Sequence, residues 1–306
     1  MQKDLVTLLD WPVEDIRKVL ELAHTLKRQA GEGELEHTLP NKTLALIFEK
    51  SSMRTRVSFE VAMTQLGGTS VYLSQQDVKL GEREPVKDGA RVLARYVEGI
   101  SARTYKHSTV KELAAHADIP VINALSDLYH PCQALADILT VEEKFDGLDD
   151  LKVAYVGDGN NVARSLAVVC AKLGADLTVA SPSHFQFHED FQQRITDLTE
   201  ESGGSFRLTE LPEKAVDGAR VVYTDTWVSM GDEAQAESRL QAFQGYGVDS
   251  TLLQRAADDV IVMHCLPAHR GHEISEEVME GPLSAVFDQA ENRLHAQRAL
   301  LQLLMG

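Results

Sequence analysis

Cysteine is scarce in this chain. Cys132, Cys170 and Cys265 are odd in number and far apart in sequence. They exclude a disulfide framework and any Cys-x-x-Cys pair, which fits a reducing compartment. Positive charge is also in short supply, with 30 Lys and Arg against 47 Asp and Glu, a formal net charge of −17. Such a surface repels nucleic acid and anionic membranes, so neither is an expected partner. No apolar run reaches the ~18 residues that a membrane span needs. Met1-Gln2-Lys3-Asp4 lacks the basic and apolar regions of a signal peptide, so a cytoplasmic location is expected. Short-period repeats and low-complexity segments are missing as well.

What remains is a globular chain of 306 residues, 43% apolar, long enough for two domains. Thr43-Leu44-Ala45-Leu46-Ile47-Phe48 reads as a buried strand, and Phe59, Met63 and Leu66 follow at helical spacing. Strands are expected again at Thr69 to Leu73, near Ile100 and at Pro120 to Leu125, with helices between them. Asp10 is placed to cap the first helix, ahead of Pro12. The pattern restarts at Leu151 to Gly157, with a helix from Asn161 to Leu173 closed by Gly174. Later strands are expected at Leu177 to Ala180, Val221 to Thr224 and Val260 to Met263. This alternation indicates an α/β fold of two doubly wound parallel-sheet domains. A long helix from His130 joins them, and the last helix returns to pack on the first domain. The expected division is 1–147 with helix 288–306, and 148–287.

Polar clusters follow the predicted strands, where open α/β sheets bind ligands. Ser52-Met53-Arg54-Thr55-Arg56 stands where a strand turns into a helix, with Ser52 as a natural N-cap. Cations are disfavoured in a first helical turn, so two arginines there make sense around a dianion such as a phosphate. Pairing of these arginines with Glu49 or Glu60 is the plainer alternative. With the chain so acidic, a phosphate site must be a local cluster of positive groups.

Gly157-Asp158-Gly159-Asn160-Asn161 begins like a dinucleotide fingerprint, but Val162 stands where its last glycine belongs. Leu177-Thr178-Val179-Ala180-Ser181 also lacks the acid expected to hold a ribose, so no dinucleotide cofactor is expected. His264-Cys265-Leu266-Pro267-Ala268-His269, with His130 and Cys132, offers soft-metal donors at spacings that match no zinc motif, and no metal is expected. A cysteine nucleophile at Cys265 is an alternative. Trp11 and Trp227 are read as packing, and Cys170 lies on an apolar helix face. Asp225-Thr226-Trp227-Val228-Ser229-Met230-Gly231 offers a carboxylate suited to an amine or, more simply, a helix cap.

Taken together, these clusters resemble the aspartate/ornithine carbamoyltransferase family. Ser52-Met53-Arg54-Thr55-Arg56 is similar to its Ser-x-Arg-Thr-Arg signature, and His130-Pro131-Cys132-Gln133 to its His-Pro-x-Gln signature. Asp225 with Ser229-Met230-Gly231, and His264-Cys265-Leu266-Pro267, resemble the ornithine branch. The likeness runs in order along essentially the whole chain.

The resemblance implies transfer of a carbamoyl group from carbamoyl phosphate to the side-chain amine of L-ornithine, without cofactor or covalent intermediate. It implies carbamoyl phosphate binding by Ser52, Met53, Arg54, Thr55, Lys79, Arg103, His130, Gln133, Cys265, Leu266 and Arg293. Of these, Arg103, His130, Cys265 and Arg293 carry the catalytic roles. Asn161, Asp225, Ser229 and Met230 take the ornithine. A homotrimer or a multiple of trimers is implied, with Lys79-Leu80-Gly81 reaching a neighbouring subunit. Lys79 replaces a residue that is more often glutamine, and Arg164 one that is usually asparagine or histidine. Arg164 keeps putrescine or an acylated ornithine open as acceptor; a catalytically silent ligand-binding relative is a further alternative.

Overall fold

Apolar, β-branched segments build two parallel sheets, each in its own unit of the chain. A computed structural model describes residues 1–78, 80–145, 147–148, 151–229 and 233–306, with Glu233 described by its backbone alone. One compact unit comprises Met1–Leu139 with Glu291–Gly306, and the other Thr140–Ala290. Among the described residues, no helix is long and apolar enough to cross a membrane.

In the first unit, α1 (Val13–Gly31) precedes β1 (Thr43–Phe48), α2 (Met53–Gln65), β2 (Thr69–Ser74), α3 (Val86–Leu93), β3 (Gly99–Arg103), α4 (His107–His116) and β4 (Val121–Leu125). α5 (Pro131–Phe145) then carries the chain into the second unit. The sheet order is β2-β1-β3-β4, all parallel. Ala45, Ile47, Ile100, Ala102 and Val121 pack in the core beneath α3 and α4. The chain leaves β1 towards β2 on one side and returns to β3 on the other. The loops after β1 and β3 therefore diverge over a crevice, and the register sets Phe48 opposite Arg103 at its edge.

The second unit runs β5 (Lys152–Val156), α6 (Asn161–Leu173), β6 (Asp176–Ala180), α7 (Glu189–Ser202), β7 (Ser205–Thr209) and α8 (Pro212–Val216). It continues with β8 (Val221–Thr224), α9 (Ala236–Ala242), α10 (Ser250–Leu253), β9 (Ile261–His264), α11 (Glu276–Glu280) and α12 (Val286–Met305). Its order, β7-β6-β5-β8-β9, places the corresponding switch point between β5 and β8. Gly174 caps α6 in the left-handed region, φ 84°, as its position predicts. The end of α12 belongs with the first unit, where Arg298 donates to the Leu26 carbonyl of α1.

Two local expectations are corrected. Asp10 does not cap α1. It ends a single 3-10 turn, Leu8–Asp10, whose cap is Thr7, and α1 begins after Pro12 without a side-chain cap. α7 and the edge strand β7 were not expected. Ser205-Phe206-Arg207-Leu208-Thr209 is half polar because an edge strand is covered on fewer sides than a central one.

Candidate functional site

In the first unit, Ser52 caps α2 as expected, accepting from the Thr55 backbone N–H at 3.3 Å. Such a cap stabilises a helix start by about 1 kcal/mol. The Ser52 hydroxyl donates to Thr55 Oγ1 at 3.1 Å, and Arg293 Nη2 donates to the same oxygen at 2.9 Å. Both acceptor positions of the buried Thr55 hydroxyl are thereby filled, and its own O–H is left to donate. Arg56 follows the plainer alternative: it pairs with Glu60 at 2.9 Å and lies 3.9 Å over the Tyr72 ring. Arg54 differs. It is half-buried in the first turn of α2 and, among the described residues, is committed to no ion pair. Met53 is 72% exposed, and Lys79 lies outside the described residues.

Arg293 reaches this turn, with His130 and Arg103 close by, and these three and Gln133 are each at most 5% exposed. Arg103 ends β3 at a register shift in its pairing with β4. Burial, with the guanidinium groups of Arg293 and Arg103 nearby, holds the His130 imidazole well below its ordinary 6.5. At neutral pH it is uncharged and offers one N–H donor and one acceptor nitrogen. Gln133 gives its amide N–H to Asp137 at 2.8 Å. Cys132, read as a possible metal donor, is buried, with its thiol directed at the Asn123 carbonyl at 3.5 Å. Burial pushes that thiol up to about 12, so it is neither a thiolate ligand nor a nucleophile at neutral pH.

In the second unit, Asn160 caps α6, its side chain accepting from the Val162 and Ala163 N–H groups at 3.0 and 3.1 Å. Its amide N–H donates to Asp225 Oδ2 at 2.8 Å, while Cys265 Sγ donates to Asp225 Oδ1 at 3.0 Å. Asp225 thus holds the loops after β5 and β9 together rather than capping a helix. Asp158 of the same turn meets Arg239 Nη1 at 2.7 Å, and this nitrogen also reaches the Trp227 carbonyl. Both partners of that pair are nearly buried, and the Trp227 ring lies near-parallel to those of Phe243 and His272. Asn161 begins α6, Ser229 is half-buried, and Met230 lies outside the described residues.

In the turn after β5, Gly159 donates to the Phe185 carbonyl at 2.8 Å, and a Cβ there would lie 2.6 Å from that oxygen, so the close approach of these two backbones requires glycine. Arg164 lies 3.9 Å over the Phe191 ring, so its charge is engaged in the packing of α6 on α7.

Asp225, His264 and Cys265 bring potential metal-ligand atoms within 4.8 Å of one another. His264 Nδ1 accepts from the Leu266 N–H at 2.8 Å, and each Asp225 oxygen accepts one hydrogen bond, from Asn160 or Cys265. Leu266 itself is left-handed, φ 59°, a conformation that costs a bulky residue roughly 1–3 kcal/mol and persists only where its surroundings enforce it. Asp137 and Arg239 were not singled out from the sequence. Asn160 and Asp158 stand in the Gly157–Asn161 turn that the sequence marks, where Asn160 caps α6 and holds Asp225.

In each unit polar side chains follow the ends of parallel strands, the edge at which α/β enzymes bind their ligands. Residues 3–143 match the family description "Aspartate/ornithine carbamoyltransferase, carbamoyl-P binding domain", and residues 149–304 match "Aspartate/ornithine carbamoyltransferase, Asp/Orn binding domain". The chain belongs to the aspartate/ornithine carbamoyltransferase family. It is 50% identical over 303 residues to the ornithine carbamoyltransferase of Halalkalibacterium halodurans, covering 99% of this chain and 95% of that one. It is 51% identical over 304 residues to the anabolic ornithine carbamoyltransferase of Pyrococcus furiosus, covering 99% and 96%. A solved ornithine carbamoyltransferase from Pyrococcus furiosus superimposes with a TM-score of 0.97 at 51% identity, over 99% of this chain and 97% of that one.

Proposed function

We propose that this protein transfers the carbamoyl group of carbamoyl phosphate to the side-chain amine of L-ornithine, releasing L-citrulline and phosphate. The observation that carries the choice of acceptor is the Asp225–Cys265 pair at 3.0 Å, a carboxylate and a thiol suited to an amino group. Relatives of similar length described as ornithine carbamoyltransferases support it. In this reading residues 1–147 with 288–306 hold carbamoyl phosphate, and residues 148–287 hold ornithine.

Attack of the amine on the carbamoyl carbon builds negative charge on the carbonyl oxygen and on the departing phosphate. Donors aimed at both lower the barrier, each typically by ~3 kcal/mol. Arg54, Ser52, the Thr55 hydroxyl and the N–H groups opening α2, beginning at Met53, serve the phosphate. Arg103 and neutral His130 serve the carbonyl oxygen. Gln133 accepts from the carbamoyl NH2, assisted by the Cys265–Leu266 backbone carbonyls, while Arg293 donates to the Thr55 hydroxyl beside the donor site. Asn161, Asp225, Ser229 and Met230 receive the amino-acid end of ornithine, and Cys265 orients its side-chain amine without forming a bond to carbon. That amine is cationic at neutral pH and sheds a proton before attack. The departing phosphate takes the second proton from the reacting nitrogen. Lys79 is assigned to the phosphate.

A cytoplasmic location and a homotrimer, or a multiple of trimers, belong to the same reading.

The test supplies purified protein with carbamoyl phosphate and, in turn, ornithine, putrescine, N-acetylornithine or aspartate. Citrulline is the expected product, with the other acceptors near background. Product from another acceptor but none from ornithine would overturn the reading.

A further inference from the structure

The end of β9 and the loop that follows it contribute a buried pair that the reaction does not use. His264 and Glu273 are 0% and 1% exposed, and His264 Nε2 lies 3.1 Å from Glu273 Oε1. The same carboxylate oxygen accepts the His269 backbone N–H at 2.5 Å. On the other side of the imidazole, Nδ1 accepts the Leu266 N–H at 2.8 Å. These contacts settle the tautomer. An ionised carboxylate only accepts, so Nε2 carries the proton, and an acceptor Nδ1 carries none. Donation runs one way, from the Leu266 backbone through the ring to Glu273.

We infer that Glu273 is a positioning residue for the acceptor site. Its carboxylate fixes the His264 tautomer, and the ring in turn holds Leu266 in the left-handed conformation that presents the adjacent Cys265 thiol to Asp225.

Three further observations support this role. Leu266 needs an enforced conformation, and the hydrogen bond to His264 anchors its N–H. Glu273 is itself anchored, because its backbone carbonyl accepts from Val248 at 2.9 Å. A second branch reaches the neighbouring loop: His269 Nδ1 lies 3.1 Å from the hydroxyl of Thr226, the residue after Asp225. Glu273 therefore ties together both loops that supply the thiol–carboxylate pair. Burial alone would push its carboxyl up, but the bonds from His264 and His269 outweigh burial and hold it below its ordinary value. It is the charged, acceptor-only form that the tautomer argument requires.

The inference rests on the proposed use of Asp225 and Cys265 for the amine, so its test includes a readout that needs no turnover. Cys265 is the partly exposed cysteine of the chain, while Cys132 and Cys170 are buried and serve as internal controls. In the native loop the Cys265 thiol is engaged by the Asp225 carboxylate at 3.0 Å, and releasing it frees the sulfur to meet an alkylating reagent. The experiment compares Glu273→Ala and Glu273→Gln with the parent enzyme. It measures iodoacetamide alkylation of Cys265 by peptide mass spectrometry, together with kcat and KM for ornithine. Circular dichroism and thermal melting verify that the variants fold. Glu273→Ala should alkylate faster at Cys265 and lose roughly 10- to 100-fold in kcat/KM for ornithine, the scale expected when a reacting group is misplaced by about 1 Å. Glu273→Gln keeps an oxygen that accepts from both donors and should stay near the parent in both readouts. A folded Glu273→Ala with parental alkylation at Cys265 would overturn the inference, as would a folded Glu273→Gln as perturbed as Glu273→Ala. If no variant or parent turned over ornithine, the functional reading would fail while alkylation still decided the role of Glu273.

Discussion

Gln133 Nε2 donates to Asp137 Oδ1 at 2.8 Å, one helical turn further along α5, and both side chains are 1% exposed. This contact orients an amide whose two ends do opposite things. The carboxylate accepts only, so the NH2 of Gln133 faces Asp137 and its oxygen points the other way. That oxygen is buried and, among the described residues, has no hydrogen-bond partner. Buried polar atoms without partners are costly, and one in the first turn of the helix after β4 is best explained by a ligand that donates to it. The NH2 of a carbamoyl group is such a donor.

Removing the clamp should free the amide to turn. Asp137→Leu is expected to lower kcat/KM for carbamoyl phosphate by roughly 10-fold, about the net worth of one hydrogen bond to a charged group. Asp137→Asn keeps an oxygen for the Gln133 N–H and should lose less. Steady-state kinetics with carbamoyl phosphate varied and acceptor saturating checks this. Parental kinetics in a folded Asp137→Leu would refute the orienting role.

His130 makes stability depend on pH in a defined direction. Its folded value lies well below the 6.5 of an exposed histidine, chiefly through burial and then through Arg293 and Arg103. Above 6.5 both folded and unfolded forms are neutral, and the full stability is present. As the pH falls from 6.5 towards the folded value, the unfolded chain takes up a proton that the native site refuses, and stability is lost. Glu273, held below 4.5, adds a second loss of the same sign at lower pH. Urea unfolding of the parent and of His130→Asn, from neutrality down to about pH 5, should show a flatter dependence for the variant. Parallel curves would contradict a neutral, buried His130.

The sheets and their ligand edges are legible because each depends on neighbours in sequence. An apolar β-branched run followed by Ser52, Arg103, Asp225 or His264 announces a strand end with chemistry on it. The supporting hydrogen bonds are not legible, because they join residues remote in the chain. Asn160 meets Asp225 across 65 positions, and Arg239 meets Asp158 across 81. Asp137 reads on its own as one acid on a helix; only its burial shows that it serves Gln133. Arg164 reads from the sequence as a charge near the acceptor site, and its guanidinium lies 3.9 Å over the Phe191 ring, a contact no local pattern announces. The last helix, without a strand to pair with, is correctly read as returning to the first unit.

The central claim is a division of labour: the first unit takes the carbamoyl donor and the second takes the amine. It is tested most directly by measuring both ligands in two variants, with carbamoyl phosphate binding read by calorimetry and ornithine by its KM. Arg54→Ala should weaken carbamoyl phosphate by roughly 10- to 100-fold, the worth of charge-assisted hydrogen bonds to a phosphate. Asp225→Ala should leave carbamoyl phosphate binding near the parental value and raise the KM for ornithine. Equal loss of both ligands in both variants would contradict the account.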